Sequence, residues 1–336
     1  LDYPQFSYAS AEWWNDMLDQ VVLANIDFIL PVWWGKAWDN FDWSHVGMAK
    51  LRQVLIERTG PTPKVGMFYD TSIMIGRDLS NEKEWYLVWR EIQEFFNYVP
   101  RRCWMLIDGK PLIIFYHPAH MQTANDAFIQ HIKTCFQNEF GISPWIIADD
   151  NSPFTADMNY RFDTANPGYY INDVCSVSPG YDDRATQRPI RGYVNRQGGE
   201  WYRRNWSKIS NCNIVLVETW NEWHEGSDIA RSYEYGNYYI DLTAQRSARF
   251  KFVTDFPTIL YRYLLGREPD SGGLEHWSNY LTAGIRPSDV YFGFIRSPEY
   301  LARGNRNISI DLNWIDSNAF REVPLTYANP VTALRQ

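Results

Sequence analysis

The chain has 336 residues, 45% hydrophobic and 21% charged, which suits a folded core larger than one small domain and excludes a disordered or low-complexity polypeptide. Its formal net charge of -8, with no basic run, excludes a nucleic acid held by its phosphates as the expected partner. No apolar stretch reaches the roughly 18 residues that a membrane-spanning helix needs, and Cys103, Cys135, Cys175 and Cys212 are too widely spaced for a zinc site.

In chain order, apolar periodicity predicts a helix at 10–23, strands at 27–32 and 64–69, a helix at 82–98, a strand at 111–116 and a helix at 123–140. Strands at 144–148, 162–165 and 174–177, a helix at 199–207, a strand at 214–219 and a closing helix from 237 to about 252 complete the series. This alternation predicts an α/β fold of the (β/α)8 TIM-barrel type. An eighth strand has room only before Leu1 or within LDYPQFSY, so the first strand is expected to be truncated. The barrel is assigned to 1–250, a small all-α module to 251–305 and a C-terminal tail to 306–336. In the module, Leu260, Leu264, Leu274, Trp277, Leu281, Val290 and Phe294 supply a small helical core, and Asp270 is read as the cap of a helix starting near Gly273. One or two disulfides in an exported protein, or four buried thiols, fit the cysteines equally well.

In such a barrel the reactive groups sit where strands end and loops begin. Here those ends read Trp33-Trp34-Gly35, Tyr69-Asp70, Tyr116-His117-Pro118, Asp149-Asp150, Asn166-Pro167-Gly168-Tyr169, Ser178-Pro179-Gly180-Tyr181 and Trp220-Asn221-Glu222. Rings beside short polar groups at successive ends suit the faces and hydroxyls of a sugar. Aromatic residues make up 17% of the chain, and most of them are expected to be core.

The last strand leads into ETWNEWHEG, residues 218–226. If the chain turns helically there, Glu222 and Glu225 stand at i and i+3, with Cβ atoms about 5 to 6 Å apart. Two carboxyls in one pocket are what glycoside hydrolysis requires: one protonates the departing oxygen and the other supplies base or nucleophile, with a retaining pair about 5 to 5.5 Å apart. Like charge in a poorly solvated cleft is expected to keep one of them protonated. Trp220, Asn221, Trp223 and His224 interleave the acids, Gly226 allows a close turn, and Glu218 is an additional acid on the same strand face. A lone His224 is read as a hydrogen-bonding neighbour, so no metal or other cofactor is expected.

The run SVSPGYDDR, then QRPIRGYVNRQGGEWY, then VETWNEWHEGSDIARSYEYGNYYI resembles glycoside hydrolase family 99, the endo-alpha-mannosidases, and the wider family 71 and 99-like barrels. The resemblance implies a retaining, endo-acting hydrolase that needs no metal, with Glu222 as base on the substrate 2-hydroxyl, a 1,2-anhydro sugar intermediate and Glu225 as general acid/base. It further implies that Tyr181, Asp183 and Arg188, with Arg196, Gly199 and Tyr202, line or brace the cleft. Trp33, Trp34, Asp70, Tyr116, His117 and Trp220 are the remaining expected substrate contacts. The chain departs from the family in lacking its aromatic first-strand motif, in carrying Glu218 where a small polar residue is usual, and in having Ser227-Asp228 for a Thr-Gln pair. Mannose fits the resemblance best, and the sugar and linkage stay open. The segment YRYLLGREPDSGGLEHWSNYLTAG with SPEY resembles a short domain-of-unknown-function family attached to secreted bacterial proteins, which implies an extracellular or cell-surface setting and a module able to contact a partner or a second copy.

The expected partner is therefore an alpha-linked glycan. The alternative is a non-catalytic carbohydrate-binding or surface-assembly protein that keeps the barrel. A glycosyltransferase is the weaker third reading, since no Gly-rich or basic phosphate site is present.

Overall fold

The computed structural model describes residues 6–35, 42–162, 164, 166–186, 192–209, 212, 214–304 and 316. The expected C-terminal tail lies outside the described residues apart from Asp316, and so do Arg188 and the first five residues.

The described chain alternates strand and helix. Helix α1 is Ala11–Leu23, followed by β1 Phe28–Ile29, β2 Val32–Trp33, α2 Asp42–Glu57, β3 Lys64–Val65 and β4 Met67–Asp70. Next come α3 Glu82–Tyr98, β5 Leu106–Ile107, β6 Lys110–Tyr116, α4 Asp126–Phe140, β7 Trp145–Asp149, β8 Met158–Tyr160, β9 Tyr169–Tyr170 and β10 Val174–Val177. The short pair β11 Tyr181–Asp182 and β12 Tyr193–Val194 precedes α5 Glu200–Trp206, β13 Ile214–Val217 and α6 Tyr238–Leu260.

Helix starts follow from side-chain caps. Ser10 accepts from Trp13 N, Asn81 from Lys83 N and Asn125 from Phe128 N, each satisfying a donor that the first turn leaves unpaired. Helix α3 buries Trp85, Val88, Trp89, Ile92, Phe95 and Phe96, one stripe at three- and four-residue spacing.

Strands β2, β4, β6, β7 and β8 form a parallel sheet in that order, and β1 pairs with β3 in parallel below it. Strand β10 pairs with β13 in parallel and lies beside β8. One apolar cluster takes Phe28 and Leu30 from the first strand position, Phe68 from β4, Leu112 and Ile114 from β6, Ile147 from β7, Tyr160 from β8, Val174 from β10 and Leu216 from β13. Side chains from both extremes of the strand series thus meet in one interior, the arrangement of a TIM-barrel-like fold. The alternate residues Trp33, Met67, Tyr69, Ile113, Phe115, Ile146 and Ala148 face outward and pack beneath α2, α3 and α4. Strands buried on both faces read as continuous apolar runs, which is why they stand out in the sequence. Among the described residues no ladder joins β13 to β1 or β2, and Phe6 to Tyr8 form no strand.

Strand β8 begins four residues before the strand expected at 162–165, and the described Phe162 and Thr164 belong to no strand. Asp157 fixes this entry: its N–H donates to Ile146 O at 2.8 Å, and its carboxylate accepts from Ile146 N at 2.8 Å and pairs with Lys133 at 2.9 Å. Asp163 and Ala165 of the expected strand lie outside the described residues.

Cys175 of β10 and Cys212 form a disulfide, whereas Cys103 and Cys135 are free thiols. The bridge ties β10 to the approach of β13.

Helix α6 runs unbroken across residue 250 and carries the chain into the helical module, through a wider turn at Tyr261–Leu265 to α7 Ser271–Thr282, α8 Pro287–Ile295 and α9 Pro298–Ala302. Val253, Phe256, Leu260, Leu264, Leu281, Val290 and Phe294 form the module's own core. Asp270 caps α7 by accepting from Gly273 N at 2.8 Å. Arg267 holds Glu299 through two hydrogen bonds of 2.7 and 2.9 Å. No helix among the described residues is long and apolar enough to cross a membrane.

A bridge across a sequence separation of 37 residues removes denatured-state entropy equivalent to about 3 to 4 kcal/mol in the loop-closure model. Urea denaturation of a Cys175→Ser/Cys212→Ser protein is expected to show a loss of that order, and an unchanged midpoint would remove the bridge from the forces that hold β13.

Candidate active site

The segment after β13 is a loop closed at its base. Glu218 N donates to Val177 O at 2.9 Å, extending the ladder by one residue. Thr219 N then donates to Ser227 O at 3.0 Å, the Thr219 and Ser227 hydroxyls meet at 2.9 Å, and Trp220 O accepts from Ile229 N and Ala230 N. Inside this frame Trp223–Glu225 make one tight helical turn, with Glu225 N donating to Glu222 O at 3.1 Å. The turn ends at Gly226 with φ 56°, and a Cβ there would stand 3.0 Å from Asp182 Cβ of β11. Backbone sign and space both demand glycine.

Arg196 fastens the loop from behind. Its guanidinium donates to Asp228 O at 2.8 Å, to Gly226 O at 2.9 Å and to the Asp228 carboxylate at 2.9 Å. It also lies 4.5 Å from the ring centroids of both Tyr235 and Tyr239. The pair is buried, with side-chain exposures of 8% and 5%. Burial pushes the Asp228 carboxyl above its ordinary range, and Arg196 opposes that shift.

On the turn, one ligand-type atom from each of Glu222, His224 and Glu225 lies within 4.8 Å of the other two. His224 Nδ1 stands 3.3 Å from Glu222 Oε2. Both acids are half-buried and His224 is exposed. Among the described residues this is the trio whose geometry could hold a cation, and its two carboxylates are also those suited to acid/base work.

An aromatic wall flanks the turn that the sequence did not reveal. Phe6 meets Trp223 edge-on at 5.6 Å and Trp13 at 5.2 Å, while Tyr8 meets Trp13 at 5.3 Å. Burial, and next the Glu222 charge, raise the pKa of the Tyr8 phenol. The only sequence signal was the ring density of the first fourteen residues.

A second group occupies the ends of β2, β4 and β6. Trp34 Nε1 donates to Asp70 Oδ2 at 2.8 Å, and Asp70 Oδ1 accepts from Ser72 N at 2.9 Å. Tyr116 stacks on Phe68 at 5.1 Å and meets Phe162 at 4.6 Å; His117 is exposed, its ring 4.4 Å from that of His120. Tyr160, also unforeseen, lies beneath both groups. Its pKa is driven well up by burial first and then by Glu218, Tyr116, Asp149 and Asp70.

The remaining expected residues divide. Tyr181 is half-buried on β11 and donates to Asp183 Oδ2 at 3.2 Å, and Asp183 is buried, accepting from Gly192 N across the β11–β12 pair. Trp220 and Asn221 are half-buried on the acid loop. Glu218 is a brace: buried, it accepts from Thr164 N at 3.1 Å and Thr164 Oγ1 at 3.0 Å. Two expectations are corrected. Trp33 is fully buried on the outward face of β2 and donates to Glu91 O at 3.1 Å, because strand alternation turns it toward α3 and away from the cleft. Tyr202 is fully buried between α5 and α6, its hydroxyl 3.1 Å from Thr243 Oγ1, so it braces the helix layer and does not line the cleft.

Residues 3–257 match the family model described as Domain of unknown function (DUF5010), and the chain belongs to that family. Residues 246–303 match a second model, Domain of unknown function (DUF4214). Among solved structures the chain is similar to a glycoside hydrolase-like protein at 14% identity and a TM-score of 0.56, over 73% of this chain and 90% of that one. It is similar to the family 99 endo-alpha-mannosidase of Bacteroides thetaiotaomicron at 19% identity and a TM-score of 0.51, over 74% of this chain and 83% of that one. The same enzyme in complex with Bis-Tris propane gives 18% identity and a TM-score of 0.50, over 73% and 86%. At such identities the likeness is one of fold. A comparison with curated proteins finds no match.

Removing Arg196 strands a buried carboxylate, which costs about 3 to 5 kcal/mol. Arg196→Met is expected to lower urea stability by that order, and Arg196→Met/Asp228→Asn to recover part of it. Strictly additive losses in this cycle would show that the two side chains do not act as a unit.

Proposed function

We propose that the chain is a retaining glycosidase that cuts within neutral alpha-linked glycans of the mannose type. The observation that carries the reading is the Glu222–Glu225 pair, with carboxylate oxygens within 4.8 Å of each other on a turn fixed at the C-terminal edge of the strands. In this reading the Glu225 carboxylic acid gives its proton to the departing glycosidic oxygen. Glu222 takes the proton of the 2-hydroxyl, whose oxygen closes on the anomeric carbon from the opposite face. Water then opens the 1,2-anhydro sugar at the anomeric carbon, Glu225 taking the water's proton while Glu222 returns its proton to the departing 2-oxygen, and the two inversions give net retention. Tyr181, Trp220 and the Phe6–Trp223 wall would offer rings to the sugar, and Trp34, Asp70, Tyr116 and His117 would receive the chain further along the cleft.

The Cys175–Cys212 disulfide favours an oxidising, extracytoplasmic setting for this activity. A non-catalytic glycan-binding role is the second reading. The seam between β13 and β1, where no ladder closes among the described residues, favours it.

Incubation with alpha-mannan oligosaccharides is expected to release internal fragments whose new anomeric centre is retained by NMR. Glu225→Gln should cut that rate by about 100- to 10,000-fold. Binding without turnover by the unaltered protein would favour the second reading, and unchanged turnover in the variant would sink the assignment of Glu225.

A further inference from the structure

Beside Trp223, a cavity of about 630 Å³ opens between α1 and the 228–235 loop. Phe6, Trp13 and Trp223 give it an aromatic side, and Asp16, Asp228 and Glu234 a carboxylate side. Neither Glu222 nor Glu225 lines it. The polar side is organised. Gln20, with no exposed surface, donates to Asp16 Oδ2 at 2.6 Å and accepts from Arg231 N at 2.8 Å, while Arg231 Nη1 reaches Asp16 Oδ1 at 3.3 Å.

Asp228 is the informative member. Its Oδ1 is held by Arg196, but Oδ2 has no hydrogen-bond partner among the described residues although the residue is only 4% exposed. A buried carboxylate oxygen without a donor is costly, and a ligand that supplies one removes the cost.

We propose that this cavity is a second glycan-binding subsite that takes one uncharged pyranose unit, its hydroxyls donating to Asp228 Oδ2 and Glu234 and its C–H face resting on the Trp223 and Phe6 rings. Charge selects the ligand. Asp228 is matched by Arg196 and Asp16 by Arg231, which leaves the exposed Glu234 as the net charge at the mouth. An anionic sugar would meet Glu234 and a carboxylate oxygen that lacks a donor, whereas hydroxyls satisfy both. Trp223 is shared, since it belongs to the turn between Glu222 and Glu225 and also lines the cavity. The subsite deepens the glycosidase reading, on which its choice of a glycan rests, by giving a long chain a second hold beside the point of cleavage.

Glu234→Gln and Tyr233→Ala test it, because both residues are exposed at the cavity rim and outside the acid turn. Titration calorimetry on the non-hydrolysing Glu225→Gln protein would compare neutral alpha-manno-oligosaccharides with oligogalacturonate of the same length. The neutral chain is expected to bind and the acidic one not. Glu234→Gln in that background should weaken neutral binding about tenfold, the loss that goes with one charged hydrogen bond. Tyr233→Ala should weaken it in the same direction. Equal binding of oligogalacturonate, no binding of the neutral chain, or unchanged affinity in both variants would overturn the proposal. Turnover by the protein with Glu225 intact is read separately. Cleavage with unchanged affinities in the rim variants rejects the subsite and keeps the glycosidase, while rim-dependent binding without cleavage rejects the glycosidase and keeps the subsite.

Discussion

A buried guanidinium holds the acid-bearing loop in place. Arg196 lies against the rings of Tyr235 and Tyr239 and donates to the carbonyls of Gly226 and Asp228 and to the Asp228 carboxylate. Those atoms follow immediately on the turn that carries Glu222 and Glu225, so the position of the two acids depends on a cation some thirty residues away in sequence. Desolvating such a pair costs energy that its mutual attraction offsets only when every donor finds an acceptor. Here two carbonyls and two aromatic rings surround the guanidinium, while Asp228 Oδ2 has no hydrogen-bond partner among the described residues. Arg196 is a positioning residue. Its hydrogen bonds go to Gly226 and Asp228 and to neither acid of the turn, yet it fixes the frame in which Glu222 and Glu225 stand.

The strands set the other boundary. Each central strand is apolar on both faces, so the sheet is locked between an interior cluster and a helix layer and can place polar groups only beyond its ends. That constraint gathers Trp34, Asp70 and Tyr116 at one side of the strand-end face and Tyr181, Trp220, Glu222 and Glu225 at the other. The Cys175–Cys212 bridge adds a covalent limit to the separation of β10 and β13, the two strands from which the second group extends.

How much of this the sequence discloses depends on the range of the interaction concerned. The Glu222–Glu225 pairing is local, three residues along one turn, and Gly226 marks the turn's end, so the motif could be read directly. Helix α3 was equally legible, because its buried stripe lies within its own seventeen residues and its cap Asn81 directly precedes them. Trp33 was not, since WWG at a strand end gives no sign of which tryptophan turns toward α3; strand parity settles it, and parity needs the register of β2 against β4. The β8 shift arose because Asp157 is chosen by Ile146 and Lys133, contacts outside any local window. Phe6 and Tyr8 reach residues more than two hundred positions away, and no periodicity announces such a meeting.

The same long range gives α6 a part in the site. Tyr239 on this helix stacks on Arg196, and Thr243 meets the buried Tyr202 hydroxyl. One and two turns further, Ser247 donates to Asn25 O at 2.7 Å and Lys251 pairs with Asp27 at 2.7 Å, just before β1. One helix therefore bonds to the residues behind the acid loop and to the residues that lead into the first strand, across the seam where no ladder closes among the described residues. It then continues, without a break, into the helical module. A displacement of that module along the α6 axis would be felt first at Lys251 and Ser247, where the helix bonds to Asp27 and Asn25, and then through Thr243 and Tyr239 at Tyr202, Arg196 and the acid loop. Continuity of α6 makes the module mechanically part of the barrel, even though its apolar core is its own.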